Sequence, residues 1–360
     1  PSAMDPYSET KLPGKRSPFR PGEGLEVSEL SAIRESFSNT WTPREFNSPV
    51  NSSYSLMYAD GFSVGGRDGS VLLAGSLSNT FNSRIYDEFD FRNGSLESGV
   101  ISPRTAGEVQ QSDAETLLGI TGALNFRPTS WSNISYNYLH TRGSEDKARS
   151  AQGVDDQGET VLQHSLTFIE RELDSHVLQG NMAIGPAGSN LHWLGSYSAA
   201  ERIEPDRRYS EFRWIEETIY NNDDEPIGTD GFWGGSALAF PFQRVFGESE
   251  EDDQGAKLNY DWRLPPSSFS QQGLKVGWEI RDRNRATSYR RFGIKSQGLD
   301  YRIGEGQGER VFDRSLYEDP AALDRVIIEE TTRPSDSYDS GQQVTGYFAM
   351  ADFDIAQKVR

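Results

Sequence analysis

The sequence predicts an all-β chain, the wall of an antiparallel transmembrane β-barrel with long extracellular loops. Three observations predict it. Strand-length segments alternate apolar with small polar residues, the links between them alternate between short and long, and the composition is rich in aromatics but poor in total hydrophobicity. Only 34% of the 360 residues are hydrophobic and the mean hydropathy is -0.68, yet the chain holds 7 Trp, 15 Tyr and 19 Phe. That balance suits a wall in which only one face of each strand is apolar, and it is too aromatic for a disordered chain.

The clearest alternation lies between Gly69 and Asn82. Val71, Leu73, Gly75, Leu77 and Phe81 fall on one side, with Ala74, Ser76, Ser78, Thr80 and Asn82 on the other; Leu72 and Asn79 interrupt the pattern. Successive side chains of a strand point to opposite faces, so this segment has one dry and one wet face. About ten such residues cross a bilayer when tilted. Upstream, Tyr54, Leu56 and Tyr58 alternate up to Phe62 before a tight turn at 65–69. Downstream, Leu118, Ile120, Gly122, Leu124 and Phe126 lead through a turn at 127–131 into Ile134, Tyr136 and Tyr138. Leu178, Met182 and Ile184 turn at 185–189 into Leu191, Trp193, Gly195, Tyr197 and Ala199. Ala256, Leu258, Tyr260 and Trp262 are followed by Leu274, Val276, Trp278 and Ile280, and the last segment carries Tyr347, Ala349, Ala351, Phe353 and Ile355. About nine strands result. The residues expected to meet lipid are Val71, Leu73, Leu77, Phe81, Leu118, Ile120, Leu124, Trp193, Tyr197, Val276 and Trp278. Trp131, Trp193, Trp262, Phe126, Tyr136, Tyr138 and Tyr197 lie near strand ends, where interfacial girdles belong.

Short links are expected near 65–69, 127–131, 185–189 and 263–272, and long polar links near 86–113, 143–160, 204–254 and 282–340. Outer-membrane barrels combine short periplasmic turns with longer extracellular loops. A secreted β-sandwich, such as a carbohydrate-binding module, is the ordinary rival on composition; it also alternates but has no reason to collect its long links at one end. A passive porin-like barrel would share every strand. Residues 51–360 are therefore read as barrel wall. Residues 1–50 are read as a connecting region punctuated by Pro13, Pro18, Pro21, Pro43 and Pro49. Within it, residues 27–38 form an amphipathic pattern through Val27, Leu30, Ile33 and Phe37. With no initiator Met and a final segment that has just begun to alternate, the chain is expected to be an internal fragment.

Other chemistry finds little footing. A formal charge of -19 argues against nucleic acid, whose phosphates need a basic surface. The chain has no cysteine, which removes disulfides, thiolate zinc sites and thiol catalysis. No run reaches the roughly 18 apolar residues of a membrane helix. His140, His164, His176 and His192 show no metal-ligand spacing, and His192 is expected on the wet face. No GxSxG elbow is present, and Gly304, Gly306 and Gly308 lack the dinucleotide spacing. No enzyme activity and no cofactor are expected. Two acidic groups, Asp223, Asp224 and Glu225, and Glu248, Glu250, Glu251, Asp252 and Asp253, offer weak oxygen-ligand candidates for calcium, without the EF-hand spacing. Phe89, Phe91, Tyr220, Phe232, Trp233 and Tyr317 are expected at loop tips, where exposed aromatics can grip a ligand.

Three segments in order resemble the TonB-dependent outer-membrane receptors. FSNTWTPREFNSPVNSSYSLMYADGF at 37–62 is similar to their passage from plug domain into the first barrel strand. LQGNMAIGPAGSNLHWLGSYSAAERIEPDRR at 178–208 is similar to a barrel hairpin ending in EPDRR. QQVTGYFAMADFDIAQKVR at 342–360 is similar to the strand leading into the family's next segment. The resemblance implies a 22-stranded barrel filled by a plug, of which this chain would supply about nine to ten strands. It implies location in the bacterial outer membrane and contact with membrane lipid. It also implies import of a scarce solute, such as a siderophore, peptide or glycan, energised by the periplasmic partner TonB.

Overall fold

The alternating segments pair into one antiparallel sheet. The structure, a computed structural model, describes residues 13, 24–91, 103–155, 158–221, 224–235, 238–263, 272–296, 308–312 and 326–353. Its strands are β1 (Ser52–Val64), β2 (Arg67–Phe91), β3 (Pro103–Thr129), β4 (Ser132–Val154), β5 (Thr160–Ala183), β6 (Asn190–Tyr220), β7 (Pro226–Gly235), β8 (Phe242–Arg263), β9 (Gln272–Ser296), β10 (Val326–Glu330) and β11 (Tyr338–Phe353). Each pairs antiparallel with its neighbours in the order β1-β2-β3-β4-β5-β6-β8-β9-β10.

The eleven elements fill nine positions across the sheet. β7 and β8 both pair with β6, β7 along 212–220 and β8 along 190–210. β10 and β11 likewise share the free side of β9, one along 292–296 and the other along 272–287. The sequence expectation of about nine strands thus matches the positions rather than the elements.

The turns at one end follow from local chemistry. Gly65 and Gly66, with φ of 59° and 70°, supply the two left-handed residues that a tight hairpin needs. This turn is shorter than the sequence pattern predicts, because Arg67, Asp68 and Gly69 already belong to β2 and pair with Val64, Ser63 and Phe62. The second hairpin turns at 130–131, and the third at Gly185 and Gly188, both of positive φ, around Pro186.

At the other end the expectation needs correction. The stretches read as long polar links are mostly strand: β2 and β3 pair out to Asp90, β4 and β5 from Val154 with Thr160, and β6 and β8 through 204–210. Polar side chains hid these extensions, since ladder hydrogen bonds join backbone groups and do not require an apolar face. The pattern reports where a strand is dry, not where it stops.

β6 contains one structural irregularity with a clear cause. Glu204 pairs with Gly247 and Arg207 with Val245, and on the other side Ile203 pairs with Glu170 and Arg208 with Leu166. Both ladders therefore place one extra residue on β6. Pro205 has no N–H to donate, so a bulge is the natural place for it in an interior strand. The extra residue reverses which side chains face which side: below the bulge Trp193 and Tyr197 share a face with Leu258, and above it Phe212 takes that face.

An apolar core forms beyond the bulge, where the N-terminal segment and two helices cover the sheet. Helix α1 (Val27–Ser36) and the short α2 (Gly308–Val311) lie over β5, β6 and β8–β10. Leu30 and Trp41 from the N-terminal segment, Phe212, Phe242, Phe292 and Ile328 are 2% exposed or less. The amphipathic pattern of 27–38 is realised through Leu30, Ile33 and Phe37. Its partner is the long-link end of the sheet.

Candidate functional site

The widest feature of the sheet is an exposed apolar belt on one face. Register places every sequence-predicted lipid-facing residue on that face. Val71 pairs with Leu124, Leu77 with Leu118, Leu73 with Gly122, Gly75 with Ile120 and Phe81 with Ala114. Trp193 pairs with Leu258, which pairs with Trp278, and Val276 pairs with Tyr260. Tyr197 lies one step further along the same side of β6, opposite Gln254. Tyr54, Leu56, Leu73, Ile120, Leu124, Leu178, Leu258, Val276 and Tyr347 are all exposed. An exposed apolar surface of this extent marks an interaction with lipid or another protein.

The belt crosses the ladder obliquely. On β3 its upper limit is Leu118, whose row continues through Arg142, Glu172, Glu201 and Glu250. On β9 its upper limit is Ile280, followed on the same face by Asp282. The row of Ile280 runs back through Ala256, Gly195, Leu178 and Tyr136 to Leu124. Leu124 is six residues below Leu118. Six residues of descent are about 20 Å, and the five strand spacings from β3 to β9 are about 24 Å. The belt is therefore inclined to the rows by about 40°.

At the belt's upper edge and above it the same face becomes polar and charged. His140 Nδ1 lies 3.0 Å from Asp174 Oδ1, which also accepts the Tyr138 hydroxyl at 2.9 Å. Tyr136 Oη lies 2.7 Å from His176 Nδ1. Arg142 pairs with Glu170. Glu201, Glu248 and Glu250 bring three carboxylates within 4.8 Å, as His140, Glu172 and Asp174 do with one imidazole and two carboxylates. Burial, and the Glu248 and Glu250 carboxylates beside it, push the Glu201 carboxyl above its usual range. Glu172 with Asp174 and Glu248 with Glu250 are two apart on one strand, but sequence spacing could not reveal His140 and Glu201, which join them only across the ladder.

Glu248 and Glu250 are acidic candidates of the sequence; the others separate. Glu251, Asp252 and Asp253 lie inside β8, not in a loop, so they alternate between faces. Glu251 and Asp253 pair with Arg283, Arg281 also holds Asp253, and Asp252 accepts the Tyr197 hydroxyl at 3.2 Å on the belt face. Asp224 and Glu225 form a turn closed by the Glu225 N–H on Asn221 Oδ1 at 2.9 Å, and Asp223 lies outside the described residues. Of the aromatic candidates, Phe89 and Tyr220 are exposed near the ends of β2 and β6. Phe232 is half-buried on β7, and Phe91 ends β2. Trp233 is corrected: it is buried on β7, edge-on to Trp214 at 5.3 Å, because β7 folds back on β6 and carries it into the core. Tyr317 lies outside the described residues. The aromatic candidates form no common grip.

One charged group anchors the N-terminal segment above the belt. Arg244 of β8 is 1% exposed. Its guanidinium stacks between Phe37 at 5.1 Å and Trp41 at 5.0 Å, donates to the Ser38 carbonyl, and faces Asp206 at 3.6 Å. Burial lowers its pKa to about 10, which still leaves it charged at neutral pH. Arg208 donates to the Thr40 carbonyl at 2.9 Å. Glu309 of α2 accepts the N–H groups of Trp41 and Thr42 at 2.7 and 3.0 Å and the Thr42 hydroxyl at 2.6 Å. Burial raises the Glu309 carboxyl, but these donors outweigh it and hold the carboxyl below its usual range.

No family model matches the chain, and no curated protein and no solved structure matches it. No helix among the described residues is long and apolar enough to cross a membrane, which says nothing of strands.

Proposed function

We propose that the sheet is part of an outer-membrane β-barrel that imports a scarce solute as a TonB-dependent receptor. The observation that carries the membrane reading is the inclined belt. Strands of a closed barrel tilt by about 35–45° to its axis, and a lipid layer cuts such strands at that angle. A belt inclined by about 40° to the ladder is what tilted strands in a flat bilayer require. A soluble sandwich buries its apolar face against a second sheet, and here that face is open. The short turns gathered at one end and the longer connections at the other support the same orientation. The importer reading is supported by the resemblance of residues 37–62, 178–208 and 342–360 to TonB-dependent receptors.

Fractionation of cells that make the protein tests the first part. The protein is expected in the outer membrane, resistant to alkaline extraction; recovery in the detergent-free soluble fraction would sink the barrel reading. The second part separates an importer from a passive pore. Deleting TonB is expected to stop solute accumulation while surface binding persists. Uptake that continues at the same rate would assign the protein to the porins.

A further inference from the structure

The face opposite the belt carries a group of side chains whose hydrogen-bonding capacity is unused. Two adjacent rows near the short-turn end bring together Asn133, Ser135, Gln179, Asn181, His192 and Asn259. They line an open crevice of about 300 Å³, at the lower end of the range for small-ligand sites. None of the six side chains hydrogen-bonds to another described residue. Asn259 Oδ1 is moreover shielded from solvent without a partner, a state that costs free energy unless something fills it.

The chemistry of the crevice selects a class of ligand. Its walls are carboxamides, a hydroxyl and an imidazole, each able to donate or accept. The fixed charge at its rim, Lys257, is matched by Glu279 at 3.5 Å. An anionic or cationic solute would find no counter-charge there. The row through Asn181, His192 and Asn259 continues through Gly277 to Phe348, an exposed ring on the same face. Gly277 permits this placement: a Cβ there would lie 2.1 Å from the Phe348 ring and 2.5 Å from Asn259 Oδ1. An aromatic face flanked by amides complements a sugar ring, with C–H groups over the aromatic and hydroxyls on the amides. We propose that this crevice is a subsite for a neutral saccharide on the solute's path along the inner wall. The inference rests on the importer reading and names the substrate class for it.

Binding is measured on the full chain in detergent by calorimetry, with maltotriose, cellotriose and chitotriose as probes and triglycine as the comparator. At least one trisaccharide is expected to bind more tightly than triglycine. Asn181→Ala and Asn259→Ala are each expected to weaken it about three- to tenfold, the factor for one neutral hydrogen bond. Gly277→Ala, which displaces Phe348 and Asn259 together, is expected to weaken it further. Absence of saccharide binding, preference for triglycine, or affinities unchanged in all three variants would overturn the subsite. Belt-depth labelling of the same variants keeps the two readings apart. A failed subsite leaves the belt in lipid, whereas a failed barrel removes the belt from lipid whatever the sugars do.

Discussion

If the belt lies in a bilayer, two residues on one hydrogen-bonded row must sit at different depths. Leu124 and Ile280 share a row through Tyr136, Leu178, Gly195 and Ala256. Leu118 and Ile280 share no row, yet both close the belt from above. With strands tilted by about 40° and a rise of about 3.3 Å per residue, the six residues from Leu118 to Leu124 descend about 15 Å along the membrane normal. Leu118 and Ile280 are therefore expected level within a few ångströms, and Leu124 about 15 Å deeper. Because the chain has no cysteine, single Cys substitutions at the three positions take a nitroxide without background. Relative exposure to oxygen and to a water-soluble nickel complex then reports depth in vesicles. Equal depths for Leu124 and Ile280, or full access of the nickel complex to all three, would refute the inclined belt and the barrel reading with it.

Other outcomes follow from the same geometry. Leu124→Arg, near mid-depth of the belt on β3, is expected to cost about 2–4 kcal/mol in a membrane refolding titration, while Asn125→Arg on the opposite face costs far less; equal costs would show the faces misassigned. Trp41→Ala removes a buried ring from the Arg244 stack and is expected to cost about 3–5 kcal/mol, read as faster proteolysis within 25–42 with the belt unaffected. The depressed Glu309 carboxyl stabilises docking of the N-terminal segment above the ordinary glutamate pKa of about 4.3. That contribution is lost as pH falls through the depressed value. A nitroxide at exposed Ser36 should therefore gain mobility in acid, and Glu309→Gln should give the mobile spectrum already at neutral pH; a spectrum indifferent to both would remove Glu309 from the contact.

The dry parts of the strands were legible because one face of each is apolar, and period-2 spacing displays that directly. Val71–Phe81, Leu118–Phe126 and Leu274–Ile280 needed nothing more. The wet extensions were not legible: Glu248–Asp253 reads as an acidic loop, yet it is a strand whose Glu251 and Asp253 meet arginines of β9 across the ladder. Trp233 could not be separated from a loop aromatic, because its burial depends on β7 folding back over β6. Asn181 and Asn259 are distant in sequence and adjacent through His192 only by register. Local pattern encodes faces; pairing decides neighbours.

The extra residue at Pro205 gives the gene an unusual sensitivity to length. Below it, β6 presents odd-numbered side chains to the belt face; above it, even-numbered ones, so that Arg208 reaches Thr40 and Phe212 enters the core. Loss of a single codon at 205 or 206 would change no other residue's identity, yet it would turn the strand from Arg207 to Tyr220 inside out. Phe212 and Trp214 would exchange sides with Glu211 and Arg213, a rotation that no later compensating substitution at one position could reverse. Point changes along this sheet are matters of degree, but the spacing at that proline is a matter of phase.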